Sequence, residues 1–160
     1  MPLHGEATIL KDGRQSETAL TIARGTRRLL RACKFATLTE MPLASGRRAD
    51  IVALAQDSTI LIVEIKSSVA DFRADIKWPD YRAHCDKLYF AISEHTPPEI
   101  MPEDAGLIIA DNFGAEILRE APDHRLAAAT RRSMLVRFAH TAALRLHGLA
   151  DPEVSSFGSV

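Results

Sequence analysis

The chain has 160 residues, 46% of them hydrophobic and 26% charged, which suits one globular domain with one core. A formal net charge of −1 gives no bulk pull toward nucleic acid or an anionic membrane, and no apolar run approaches the roughly 18 residues of a membrane span. Two cysteines, Cys33 and Cys85, offer neither a disulfide framework nor a CxxC zinc pair, and the start MPLHGEATILKDGR lacks a signal-peptide layout, so a reducing cytoplasm is the expected setting.

Residues 16–33 have the spacing of an amphipathic helix. Ala19, Ile22, Ala23, Leu29, Leu30 and Cys33 share one side, and Arg24, Arg27, Arg28 and Arg31 share the other. Ser16 is placed to cap its start. A strand is expected over 34–40, followed by the exit loop PLASG. ADIVALA (49–55) and TILIVEIK (59–66) are strands joined by a short polar turn at QDS. Residues 69–85 are helical in pieces, interrupted near Pro79, and KLYFAIS (87–93) is a strand. A proline-rich loop over 96–105 leads to a hairpin over 106–120 that turns at Asn112–Gly114. A long helix over 125–148 ends at Gly148. The expected layout is one α/β domain over 13–148, with tails at 1–12 and 149–160.

One strand poses a question. ILIVEIKSS (60–68) begins as a buried strand, yet it carries Glu64 and Lys66, and burying a charge is costly. A symmetric turn centred on Asp57 pairs Leu54 with Ile60, Val52 with Ile62, and Asp50 with Glu64. Side chains alternate along a strand, so Asp50, Glu64 and Lys66 share a face. Directly opposed residues have Cβ atoms about 5 Å apart, and two carboxylates that close repel. A hard divalent cation, Mg²⁺ or Mn²⁺, relieves that repulsion through carboxylate oxygens. A metal beside an ammonium group outlines a site for phosphoester chemistry. The bland reading is a strand end, with Glu64 and Lys66 simply reaching solvent. A register slip by one residue would send Asp50 and Glu64 to opposite faces. The chain also holds a second acid-x-Lys string, Asp75–Lys77, discounted for its polar helical context.

The stretch RRADIVALAQDSTILIVEIKSS resembles the PD-(D/E)XK nuclease superfamily, whose signature is an acid opening one strand and acid-x-Lys closing the next. The longer string GRRADIVAL…VEIKSSVADFRADIKWPDYRAHCDKLYFAI resembles the bacterial MmcB-like DNA-repair proteins, over roughly residues 20–145. That resemblance implies a restriction-endonuclease-like α-β-β-β-α-β core with a mixed sheet, here extended by a C-terminal hairpin and long helix. It implies that Asp50, Glu64 and the backbone carbonyl of Ile65 are metal ligands and that Lys66 is the catalytic lysine. The proline of the family name is replaced by Ala49. Many relatives carry a third acid; the candidates here are Glu17 on the first helix and Glu40 at the end of the preceding strand, and a missing third acid puts a second metal in doubt.

Arg47 and Arg48, next to Asp50, are the leading DNA contacts, and Lys77 matches the place where superfamily members carry a site-orienting residue. Trp78 is read as packing on the sheet, with Tyr81 left open. The arginines of the first helix are read as a solvated face. The histidines show no metal-ligand spacing, so no zinc is assigned. The resulting expectation is metal-dependent hydrolysis of DNA phosphodiesters in repair, leaving by family analogy a 5′-phosphate and a 3′-hydroxyl. The alternative is a non-enzymatic nuclease-fold module that binds DNA or a repair partner. A homodimer through the long last helix is a further reading.

Overall fold

A computed structural model describes residues 16–156. The expected 1–12 tail and the last four residues lie outside the described residues. Helix α1 (Glu17–Ala32) is followed by strands β1 (Ala36–Pro42), β2 (Arg48–Leu54) and β3 (Ile60–Ile65). A short helix α2 (Val69–Ala74) and a 3₁₀ segment (Trp78–His84) cross over to β4 (Lys87–Ile92). The hairpin β5 (Gly106–Ala110) and β6 (Ala115–Arg119) precedes the long helix α3 (Ala128–Ala150). The six strands form one sheet in chain order. β1–β2, β2–β3 and β5–β6 pair antiparallel, while β3–β4 and β4–β5 are parallel. This is the restriction-endonuclease-like core with its mixed sheet and C-terminal additions.

Ser16 caps α1 by accepting a hydrogen bond from the Ala19 N–H at 3.1 Å. Three residues separate the end of the helix from the start of β1. Lys34 stands in the left-handed region at φ 67, with its N–H on the Arg31 carbonyl and the Phe35 N–H on the Leu30 carbonyl. This Schellman closure consumes Lys34 and Phe35, so the strand starts at Ala36 instead of Lys34. Period-two alternation then divides the sheet between two cores. Ile51, Val63 and Ile108 join Ile22 and Leu30 of α1 on one face. Val52, Ile62 and Leu88 join Tyr81 and Met134 on the other, beneath the 3₁₀ segment and α3. α1 sits very close to the β5–β6 turn: a Cβ at Gly25 would meet the Asp111 carbonyl at 2.1 Å and that of Gly114 at 2.4 Å.

The crossover breaks at Asp75–Lys77, not at Pro79. Pro79 stands in the first turn of the 3₁₀ segment, where a missing N–H costs nothing. Helix α3 begins later than the spacing suggests because Asp86 holds the preceding segment. Its carboxylate accepts from the Leu126 N–H at 2.9 Å, and its carbonyl from the His124 N–H at 2.7 Å. The same carboxylate takes both terminal nitrogens of Arg131, at 2.7 and 2.6 Å, and the Ile60 N–H at 2.8 Å. Burial alone would raise Asp86, but Arg131 and the two N–H donors outweigh it and hold the carboxyl at about 2. α3 also continues through Gly148 to Ala150, with Pro152 following, so the start of the expected tail is helical.

Candidate active site

The β2–β3 hairpin sets the site. Its loop is closed by the Ala55 N–H on the Thr59 carbonyl at 3.0 Å, and Asp57 accepts from the Thr59 N–H at 3.0 Å. The register pairs Leu54 with Ile60, Val52 with Ile62 and Ile51 with Val63. One step further come Asp50 and Glu64. They lie in the row that holds Val52 and Ile62, and each reaches for the other's strand. The Asp50 N–H donates to Glu64 Oε1 at 3.1 Å, and the Ile65 N–H donates to Asp50 Oδ2 at 2.8 Å.

Glu64 is 3% exposed and Lys66 5% exposed. Burial is the largest influence on both carboxyls. It pushes Asp50 up to about 6, with the charge of Glu40 adding to the rise. It pushes Glu64 well above its ordinary value, and the charge of Asp50 pushes it further. The two carboxyl groups lie close enough for each to influence the other's protonation. They titrate as one unit.

Asp50, Glu64, Ile65 and Lys66 line one cleft of about 640 Å³ with Asp75 and Tyr81. The Lys66 ammonium pairs with Asp75 Oδ2 at 2.5 Å. Asp75 belongs to the string set aside in the sequence as a helical copy. The structure puts it just past the end of α2, where the chain turns back toward β3. No local pattern could have found it, because the contact forms only when the crossover folds over the strand end. Its other oxygen accepts from the Lys77 N–H at 3.1 Å, while Lys77 itself is exposed. Ser67 and Asp71 close the same corner, the Ser67 N–H donating to Asp71 Oδ2 at 3.0 Å. Tyr81, left open in the sequence, donates its hydroxyl to the Arg48 carbonyl at 3.1 Å. Burial and the charges of Glu64 and Asp50 hold its phenol in the neutral form, a fixed donor beside the acids. Trp78 packs edge-on against Phe90, 5.2 Å between centroids.

The other candidates separate. Arg47 pairs with Asp80 at 2.8 Å and Arg48 with Glu40 at 2.5 Å, so both cations are already engaged. Glu40 sits in β1 at φ 52, between the pairs Thr39–Ile51 and Met41–Ala49, which sets it opposite Asp50. A non-glycine residue in the left-handed region inside a strand is strained. Glu17 is exposed and does not line the cleft, although its neighbours Ser16 and Ala19 do. His84–Cys85 is no nucleophile pair: burial pushes the Cys85 thiol up to about 12.

Among the described residues no group of three or more His, Cys, Asp or Glu side chains comes together to hold a metal ion. With Asp75 engaged by Lys66 and Asp71 by Ser67, Asp50 and Glu64 are the side-chain carboxylates left to a cation, and Mg²⁺ is commonly held by one or two such groups with the rest of its shell filled by water. The donors are hard oxygens, with none of the sulfur or imidazole that zinc favours. The charge of Asp50 against Glu64 is also a repulsion that a divalent cation relieves. The donor set fits Mg²⁺ or Mn²⁺.

A family model described as DNA repair protein MmcB-like matches residues 6–153. A solved structure described as a protein of unknown function from Silicibacter pomeroyi is similar, with 42% identity, 87% of this chain and 95% of that chain covered, and a TM-score of 0.83. No curated protein matches the chain.

Proposed function

The chain belongs to the MmcB-like family of DNA repair proteins, and from that premise we propose that it hydrolyses phosphodiester bonds of DNA with Mg²⁺ or Mn²⁺ as cofactor. The observation that carries this reading is the interlocked Asp50–Glu64 pair, buried at a strand end beside Lys66. Asp50, Glu64 and the Ile65 carbonyl would hold the cation, which when bound supplies Lewis-acid polarisation of the phosphate and an acidified water. Burial holds Glu64 toward its neutral form, so its ionisation is the protein's part in loading the site. Lys66 holds a positive charge where negative charge accumulates as water adds to phosphorus and the P–O bond breaks. Asp75 fixes the direction of that ammonium, and Tyr81 fixes the backbone just before Asp50. Arg47, Arg48 and Lys77 are close in the chain to the cleft residues Asp50 and Asp75 and are the proposed DNA contacts, which for the two arginines requires that Asp80 and Glu40 release them. A homodimer through α3, whose Leu144, Leu146 and Leu149 are exposed, belongs to the same reading.

A second reading rests on the Lys66–Asp75 pair: an ammonium already neutralised suits a nuclease-fold module that binds DNA or a repair partner without cutting. Incubation of the protein with duplex, single-stranded, flap and four-way DNA, in Mn²⁺ or chelator, separates the two. Cleavage that requires the metal supports hydrolysis. Binding without cleavage on all four substrates supports the module.

A further inference from the structure

The arginines of α1 are exposed, as read from the sequence, and they also line a recess. Arg24, Arg27, Arg28 and Arg31 line a groove of about 730 Å³ between α1 and the edge strand β1, floored on the strand side by Thr37 and Thr39. Two of the four are fixed in place. Arg27 Nε donates to Thr37 Oγ1 at 2.9 Å, and Arg28 Nη1 donates to the Phe113 carbonyl at 3.1 Å. The guanidinium groups of Arg24 and Arg31 make no hydrogen bond or ion pair among the described residues, and no carboxylate lines the groove. Like charges three and four apart on a helix repel. A chain of net charge −1 has concentrated four cations in one recess and provided no counter-charge there.

The recess adjoins the candidate active site through α1 itself. Ser16 and Ala19 line the carboxylate cleft, and Leu20, Ala23 and Arg24, the next turn, begin the groove. From Arg24 to Arg31 the helix rises about 10 Å, a length over which one strand of B-DNA carries about three phosphates. Guanidinium forks suit phosphate oxygens, and threonine hydroxyls add neutral donors.

We infer that the α1–β1 groove is the track for the sugar–phosphate backbone of the nucleic acid whose scissile bond reaches the Asp50–Glu64 cleft. Arg24 and Arg31 are its free phosphate contacts, and Arg27 is a pre-set one. This rests on the proposed function, since it takes DNA as the ligand.

The test is binding of a fluorescently labelled DNA duplex at several salt concentrations, in chelator, by the full chain, an Arg24→Ala/Arg31→Ala double variant and an Arg125→Ala/Arg132→Ala double variant of equal charge change. The expected result is that the α1 variant binds at least tenfold more weakly and that its plot of log K against log salt is shallower by about 2. The Arg125/Arg132 variant keeps the wild-type slope. Wild-type binding with an unchanged slope in the α1 variant overturns the groove alone. Equal losses in both variants also overturn it, because bulk charge then explains binding. A wild type that binds no DNA overturns the proposed function and the groove with it. A wild type that binds through the groove but never cuts overturns hydrolysis and leaves the groove standing.

Discussion

Asp50 and Glu64 each accept a backbone N–H from the opposite strand of their hairpin, at 2.8 and 3.1 Å. A consequence follows for stability. Folding raises Asp50 from 3.8 to about 6 and Glu64 well above 4.5. The native state therefore binds more protons than the unfolded chain across this range, and stability falls as pH rises through it. In chelator the melting temperature should drop as pH rises from about 4 through 6, with Glu64 adding to the drop as it ionises. Mn²⁺ should reverse the drop at pH 8, by binding only the native state. Asp50→Asn should melt higher than wild type in chelator at pH 8 and respond less to Mn²⁺. A flat profile in chelator would mean that the pair is not strained.

Asp86 works in the opposite sense. Its folded carboxyl, at about 2, lies below the ordinary 3.8. The stabilisation is complete above pH 4 and is lost as pH falls from about 4 through 2; it amounts to about 2 kcal/mol. Asp86→Ala leaves Arg131 without its partner and two N–H groups unmet, and should cost about 3–5 kcal/mol in urea unfolding. A cost under about 1 kcal/mol would show that the 124–126 segment is held by something else.

Gly25 has no room for a methyl group, because backbone carbonyls and not flexible side-chain ends occupy the space. Gly25→Ala should destabilise by at least about 2 kcal/mol through displacement of the β5–β6 turn, despite alanine's better helix propensity. A neutral or stabilising result in thermal melts would mean the turn yields freely.

Much of this arrangement is legible in the sequence. Alternating apolar residues and a five-residue turn around Asp57 were enough to set Asp50 against Glu64, because a hairpin is local and its register follows from the turn. Asp75 was not legible. α2 spans six residues, and its exit brings Asp75 onto Lys66 from nine positions away through a tertiary contact. The arginine stripe could be read, but its groove could not, since β1 forms the opposite wall. The helix runs past Gly148 because a glycine inside a helix costs only about 1 kcal/mol, and it ends at Ala150, just ahead of Pro152.

Lys66 separates a structural from a catalytic role. Lys66→Ala should fold, since Asp75 is partly open to water, and should keep DNA affinity within about twofold while losing cleavage at least 100-fold, the scale of one charge-stabilising group. Asp75→Asn should lower the cleavage rate with binding unchanged. Lys77→Ala should weaken both only in part. Full cleavage by a folded Lys66→Ala protein would remove the assigned role.

The most direct test is calorimetric titration of Mn²⁺ into the DNA-free protein near pH 7, repeated in buffers of different ionisation enthalpy. The account predicts one Mn²⁺ per chain and release of protons from carboxyls that burial holds above their ordinary values, with both signals abolished in Asp50→Asn and Glu64→Gln. Mn²⁺ binding that persists in both variants, or that releases no proton, would contradict it.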